Sequence, residues 1–213
     1  MKALAHTTFK TLAGGAALAL GLLALAPQSV AAQATLPTWR EIVVYASDTS
    51  YPAALAQRGM QGAATVELTL DDAGRPRSAS IRESTRSAEL DALAMTLARQ
   101  LSIAPAGGAR GGLVHITFRK DHSSTIATKR CADFNVDAAW QTATFPERGL
   151  RDLPVISDSI GMLVYSLHRD GAARQSFPVV EAILNATVAA CARTPEAGML
   201  DVMRQEALKL IEK

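Results

Sequence analysis

Residues 64–74, ATVELTLDDAG, decide the fold of the first half of the chain. Val66, Leu68 and Leu70 alternate with polar residues, which is the period of a strand with one buried face. The Asp-Asp-Ala-Gly sequence that follows suits a tight turn, because Asp side chains bond to nearby backbone and glycine accepts a positive φ. Residues 75–84 are therefore expected to return as the second strand of an antiparallel hairpin.

Helical and extended segments flank this hairpin. Tyr51 and Pro52 open a short helix, since proline is tolerated in a first helical turn, and Gly59 can end that helix. Residues 113–118, LVHITF, alternate again and predict a closing strand. A second helix is predicted from apolar residues at helical spacing: Leu90, Leu93, Ala94, Leu97 and Leu101. Residues 51–121 are thus expected to form an α+β domain with a three-stranded antiparallel sheet and two helices.

The order of these elements resembles the C-terminal domain of the TonB family, over about a third of the chain. The matching residues are Tyr51, Pro52, Gly59, Gly62, Val66, Glu67, Leu68, Asp72, Ala73, Gly74, Leu90, Asp91, Ala92, Leu93, Pro105, Val114, His115, Ile116, Thr117 and Phe118. Such domains pair an exposed strand edge with an extended peptide of a partner. The resemblance implies that the edge is residues 113–118, and the alternative is that the domain serves only as a scaffold. The implied partner-binding residues are Tyr51, Pro52, Leu113, Val114, His115, Ile116, Thr117 and Phe118.

Residues 1–34 predict a targeting segment. Lys2 and Lys10 give a basic start, residues 12–26 are an apolar core, and Ala32 and Ala34 fit a small-residue cleavage site. We expect cleavage and export to the periplasm, with residues 35–50 as an N-terminal segment before the domain. If residues 1–34 were instead retained as an anchor, a membrane-anchored TonB-type energy transducer would be the alternative.

Charge and motifs argue against other functional classes. The chain has 22 basic and 20 acidic residues, and removal of Lys2 and Lys10 leaves 20 of each, so no basic nucleic-acid-binding surface is expected. Residues 107–112 are glycine-rich but lack the Gly-Lys-Ser/Thr ending of a phosphate loop. The turn accounts for Asp71 and Asp72 without a metal or acid-base role. We expect a non-enzymatic protein with no catalytic residues, no cofactor and no metal site.

The second half of the chain predicts a separate helical domain, residues 131–213, after a polar linker at 122–130. It contains both cysteines, Cys131 and Cys191, and an even count in an exported chain favours a disulfide between them. Two separate buried thiols are the alternative. A protein or peptide partner in the periplasm is expected, such as an outer-membrane protein. A second copy of the chain, forming a homodimer, is also a possible partner.

The sequence Cys131-Ala132-Asp133-Phe134 resembles the opening of the HdeA family of acid-stress chaperones, and the residues around Cys191 are similar to its closing half. This resemblance implies an alternative function, an acid-activated periplasmic holdase that binds unfolded clients through apolar residues exposed at low pH. The implied client-binding residues are Leu153, Val155, Ile156, Ile160, Leu163, Val164 and Leu167.

Overall fold

A computed structural model describes residues 36–104, 110–168 and 179–211. The predicted signal peptide lies outside these residues. The residues in these three ranges belong to one compact unit. Within it, apolar side chains gather into two buried clusters, one under the sheet and one among the helices of the second half. The described helices include none with the length and apolarity that a membrane span requires.

The sheet has four strands in the order β1-β4-β2-β3. Strands β2 and β3 form the predicted hairpin, β2 also pairs antiparallel with β4, and β1 pairs parallel with β4. Two helices accompany the sheet, and Leu90 and Ala94 of the second are fully buried in its core. The elements of this half are β1 Thr38–Tyr45, α1 Ala53–Gln57, β2 Gly62–Leu70, β3 Pro76–Glu83, α2 Ala88–Arg99 and β4 Gly111–Arg119.

The α+β class is confirmed, but the expectation of three strands is wrong. Strand β1 comes from the segment that was expected only to precede the domain, and it covers one side of β4. Residues 113–118 therefore lie in an interior strand, and their prediction as an exposed edge is wrong. The physical reason is that an open β4 would leave a row of unpaired backbone groups, and the β-branched run Ile42-Val43-Val44 is well suited to satisfy them.

The second half is helical where it is described. Its elements are α3 Ser123–Ile126, α4 Cys131–Thr144, a 3₁₀ turn Leu150–Asp152, α5 Pro154–His168, α6 Val180–Cys191 and α7 Met199–Ile211. The predicted disulfide is confirmed, since the Cys131 and Cys191 sulfurs are 2.01 Å apart and join the start of α4 to the end of α6. The segment that was expected to be a linker contains α3, and Ile126 in it is fully buried.

Candidate protein-binding site

The backbone of β4 forms hydrogen bonds to a neighbouring strand on each side, β1 on one and β2 on the other. The Leu113 amide donates to the Pro37 carbonyl at 2.9 Å, and the Ala46 amide donates to the Arg119 carbonyl at 3.0 Å. Because backbone groups of a strand alternate in direction, Leu113, His115, Thr117 and Arg119 turn theirs toward β1, and the residues between them face β2. A partner strand can therefore reach the β1 side of β4 only where β1 now lies.

The side chains of β4 divide between two faces. Val114, Ile116 and Phe118 are fully buried and pack into the core under the sheet. Leu113, His115 and Thr117 are half-buried on the opposite face. Of the six predicted partner-binding residues on this strand, only the latter three have side chains that another molecule could touch.

A close approach between Trp39 and Gly112 holds β1 in place. A Cβ atom added to Gly112 would lie 2.3 Å from Cδ2 of the Trp39 ring, so the indole rests directly on the glycine backbone. Glycine is needed at this position because any side chain would occupy the space of the ring. The absence of a side chain at Gly112 therefore leaves a space that the Trp39 ring of the neighbouring strand fills, and we call this contact the Trp39 seat.

Replacing Gly112 with alanine is expected to push out Trp39 and loosen β1. Overpacking of this kind costs about 1–3 kcal/mol, and the loss should appear as faster amide exchange in β1. Hydrogen exchange followed by NMR would measure it. Gly111→Ala is the matched control, because its added Cβ would meet only Leu36 Cδ2, at 3.4 Å. Equal protection of β1 in the two variants would contradict the role of the Trp39 seat.

A row of polar side chains crosses all four strands on the exposed face. The Thr65 hydroxyl donates to Glu83 Oε2 at 2.7 Å and lies 3.0 Å from His115 Nδ1. His115 Nε2 lies 3.3 Å from the Thr38 hydroxyl of β1. Since the Thr65 hydroxyl donates its proton to Glu83, it accepts a hydrogen bond from His115 Nδ1. His115 thereby connects β1 to the other three strands.

The end of β1 is fixed by aromatic and polar contacts. The Tyr45 ring stacks on His122 with centroids 3.7 Å apart, and Ser47 Oγ lies 2.9 Å from His122 Nε2. The Tyr45 amide donates to Asp48 Oδ2 at 2.8 Å. These contacts shape the turn between β1 and α1.

The two predicted partner-binding residues outside β4, Tyr51 and Pro52, lie in different environments. Tyr51 is buried, stacks edge-to-face on Phe118 with centroids 5.7 Å apart, and donates its hydroxyl proton to the Met60 carbonyl. Burial raises the pKa of Tyr51, and the carboxylates of Asp137 and Asp121 add to the shift. Pro52 is exposed and precedes the first residue of α1. Tyr51 therefore supports β4 from within the core.

Charged side chains join the end of β4 to the helical half, an arrangement that the sequence reasoning missed. Lys129 Nζ lies 2.7 Å from both Asp121 Oδ2 and Asp137 Oδ2, and Lys120 Nζ lies 2.9 Å from Asp137 Oδ1. The Lys129 and Asp137 side chains are 2% and 0% exposed. We call these four residues the junction cluster. The sequence feature that could have indicated this cluster is Asp137, because a carboxylate there falls on the same helix face as the apolar residues Phe134 and Ala138.

Burial and charge oppose each other in the junction cluster. Burial disfavours the charge on Lys129, but the carboxylates of Asp137 and Asp121 outweigh it and raise the Lys129 pKa. Burial raises the pKa of Asp137, and the attraction of Lys129 and Lys120 opposes that rise. The cluster is a structural connection between the two halves, and each charge in it depends on its partners.

The predicted client-binding residues lie on α5 and just before it. Leu153, Val155, Ile156, Leu163 and Leu167 are buried in the helical core. Ile160 and Val164 are half-buried. No client could reach most of this surface unless the helical half opened.

Candidate chemical sites are sparse in the ranges 36–104, 110–168 and 179–211. Among these residues, no group of His, Cys, Asp and Glu side chains is arranged to hold a metal ion. Asp71 Oδ1 accepts bonds from the Ala73 and Arg75 amides at 2.9 and 2.8 Å, so the carboxylate shapes the turn. Part of the glycine-rich stretch 107–112 falls outside the described residues.

Comparison with known proteins supports the first of the two resemblances. Residues 47–119 match the family model described as Gram-negative bacterial TonB protein C-terminal, which covers about a third of the chain. No curated protein and no solved structure matches the chain. The comparisons do not support the HdeA resemblance of the second half. Residues 47–119 are thus a TonB-like C-terminal segment, and β1 lies just outside it.

Proposed function

We propose that the chain is an exported, non-enzymatic protein-interaction protein. Its TonB-like segment would pair with an extended peptide of a protein partner, such as an outer-membrane protein, along the side of the sheet formed by β1 and β4. The observation that carries this proposal is the parallel pairing of β1 on β4. A separate extended segment is already bound there, just outside the TonB-like segment, so this side of the sheet suits strand addition.

The two outer strands of the sheet differ in how well they would accept a partner. Both outer strands carry charged residues, which are Arg40 and Glu41 on β1 and Arg77, Arg82 and Glu83 on β3, but β3 also begins at Pro76, and proline discourages pairing at an edge. Strand β1 contains no proline, and its Val43 side chain is 47% exposed. The β1–β4 side is therefore the better candidate for partner binding.

Export is supported by the disulfide, because such bonds persist in oxidising compartments such as the periplasm. We propose that residues 1–34 direct export and are removed. If they remain as an anchor, the same strand-pairing surface would belong to a membrane-bound transducer.

Site-specific photo-cross-linking in the cell envelope would test the proposed function. A cross-linker at Thr117, on β4, should give adducts with a protein partner, and peptide mapping should place them within one extended segment of it; a cross-linker at Val43 reports whether β1 stays beside that segment. Matched cross-linkers belong at Arg77, on the other edge, and at Tyr165, which is 74% exposed on α5. Adducts from Tyr165 alone, or from none of the four positions, would contradict binding at the β1–β4 side.

An acid-activated holdase is the second candidate function, favoured by one arrangement in the helical half. The apolar face of α5 is buried, and the disulfide between α4 and α6 would keep that half from opening completely. Loosening at low pH would then expose the face to unfolded clients without releasing the chain.

Acid is expected to weaken an ion pair outside the junction cluster, between Arg86 of the first half and Glu147 of the helical half. Arg86 NH2 lies 2.6 Å from Glu147 Oε1, and its hydrogen bond lowers the Glu147 pKa. A depressed folded pKa contributes stability above the unfolded value of about 4.3, and that contribution is lost as pH falls through the folded value. Asp137 acts in the opposite sense, since its raised pKa means that acid relieves the cost of its buried charge.

Near-UV circular dichroism and client-aggregation assays between about pH 7 and pH 2 would measure this response. Glu147→Gln should remove part of the acid destabilisation, because the variant carboxamide does not titrate. Glu206→Gln is the control, since the Glu206 carboxylate pairs with Lys209 within α7. Native packing and no client protection at the acid end would contradict the holdase.

A further inference from the structure

We propose that β1 is an exchangeable strand that fills the partner's place on β4, so that the partner peptide binds parallel to β4 after displacing β1. This inference rests on the proposed function and adds an autoinhibitory contact to it. The partner would thus compete with a segment of the chain itself.

The position of β1 in the chain supports exchange. Residues 47–119 match the family model, and β1 ends at Tyr45, before that segment begins. The segment contains β2, β3 and β4, so without β1 the β4 strand would be the open edge of a three-stranded sheet. The strand that closes this edge is an addition to the TonB-like segment.

The way β1 is held also supports exchange. Of its eight residues only Val44 is buried, whereas the core-facing residues of β4 are buried completely. Trp39 and Ile42 contribute partly buried contacts to the same core. Besides these contacts, β1 is held by the Thr38–His115 hydrogen bond, by stacking of Tyr45 on His122, and by backbone hydrogen bonds, and an incoming extended peptide can replace the backbone hydrogen bonds one for one.

The contacts of β1 define the chemistry of the competing peptide. An aromatic residue at the Trp39 position would rest on Gly112, and aliphatic residues at the Ile42 and Val44 positions would meet the core. A hydroxyl at the Thr38 position would reach His115. The partner segment is therefore an extended peptide with an aromatic residue followed at the third and fifth positions by aliphatic ones.

Occupation by β1 lowers the apparent affinity for any such peptide. Binding is reduced by the fraction of molecules in which β1 has left β4, so fixing β1 in place should abolish binding and releasing it should strengthen binding. The register offers sites for fixing it, because Val43 is the Cα partner of Thr117 and Glu41 is the partner of His115.

The experiment measures binding of a labelled synthetic peptide of residues 36–46 to the full chain. A double variant, Val43→Cys with Thr117→Cys, locks β1 to β4 through a disulfide, and Val43→Ser with Thr117→Ser is the unlocked control. Glu41→Cys with His115→Cys provides a second lock, and Glu41→Ser with His115→Ser is its own unlocked control, because replacing His115 also removes the contact with Thr38. Intact mass and circular dichroism check the bond and the fold without reducing the native disulfide.

Each unlocked control should bind the peptide, and its locked counterpart should bind it at least tenfold more weakly. Equal binding by locked and unlocked chains would overturn the inference, since the peptide would then be adding outside β1. Absence of binding to the unlocked controls at millimolar peptide would overturn it as well, because β1 would not be exchangeable.

The Glu41–His115 lock and its serine control leave Thr117 free for the cross-linker, and they separate this inference from the proposed function. If locked and unlocked chains give the same cross-linked partner, the partner binds without displacing β1, and the proposed function stands alone. If neither gives a partner while the peptide discriminates between them, strand exchange stands and the proposed function fails.

Discussion

Replacing Asp137 with asparagine is expected to lower the free energy of unfolding by about 3–5 kcal/mol, the cost of removing one member of a buried ion pair. Asp137 has a side chain with 0% exposure and contacts both Lys129 and Lys120. Its loss would leave Lys129, 2% exposed, with Asp121 as its remaining carboxylate in the junction cluster. A buried ammonium group with too little compensating charge destabilises the folded state.

Urea unfolding of the variant and of Asp133→Asn would measure this effect. Asp133 is the matched control, because it lies on the same helix and faces the same Lys120 at 3.8 Å, but its side chain is 60% exposed. Exposed pairs contribute about 0–1 kcal/mol. A cost for Asp137→Asn no larger than that of the control would contradict the structural role of the junction cluster.

Removing the disulfide is expected to cost about 4 kcal/mol, the chain-entropy value for a closed loop of this length. Cys131 and Cys191 are separated by 60 residues, and both side chains are fully buried. Serine at either position would also leave its partner as a buried thiol. The loss should fall mainly on the helical half, since the bond joins α4 to α6.

Urea unfolding of Cys131→Ser, Cys191→Ser and the double variant would measure the loss, and amide exchange would locate it. Exchange should accelerate in α6 more than in β2, whose contacts lie in the other core. Two thiols that alkylate freely in the folded wild-type chain, or a double variant as stable as wild type, would contradict the prediction.

Local periodicity was enough to predict most of the sheet. Val66, Leu68 and Leu70 alternate, and the turn at Gly74 carries a positive φ, so the hairpin follows from short-range rules. Strand β4 alternates in the same way. The disulfide also followed from the sequence, because only two cysteines were available to pair.

Strand β1 could not be predicted in this way because its partner is distant in the chain. Thr38 pairs with Leu113, and the register shifts between Thr38 and Arg40, so the apolar residues of β1 do not alternate strictly. Residues 113–118 were correctly predicted to form a strand, but their position at the edge of the sheet was predicted wrongly for the same reason. The junction cluster was missed because Lys129 lies in a polar segment, and nothing local indicates that Lys129 is buried.

Amide exchange of β1 and β4 in the full chain, with and without excess peptide of residues 36–46, tests most directly whether β4 accepts an extended strand in place of β1. We expect the Ile42 and Val44 amides to exchange faster as peptide is added, while the His115 and Thr117 amides stay protected by the new strand. Protection of Ile42 and Val44 that does not change at any peptide concentration would contradict the account.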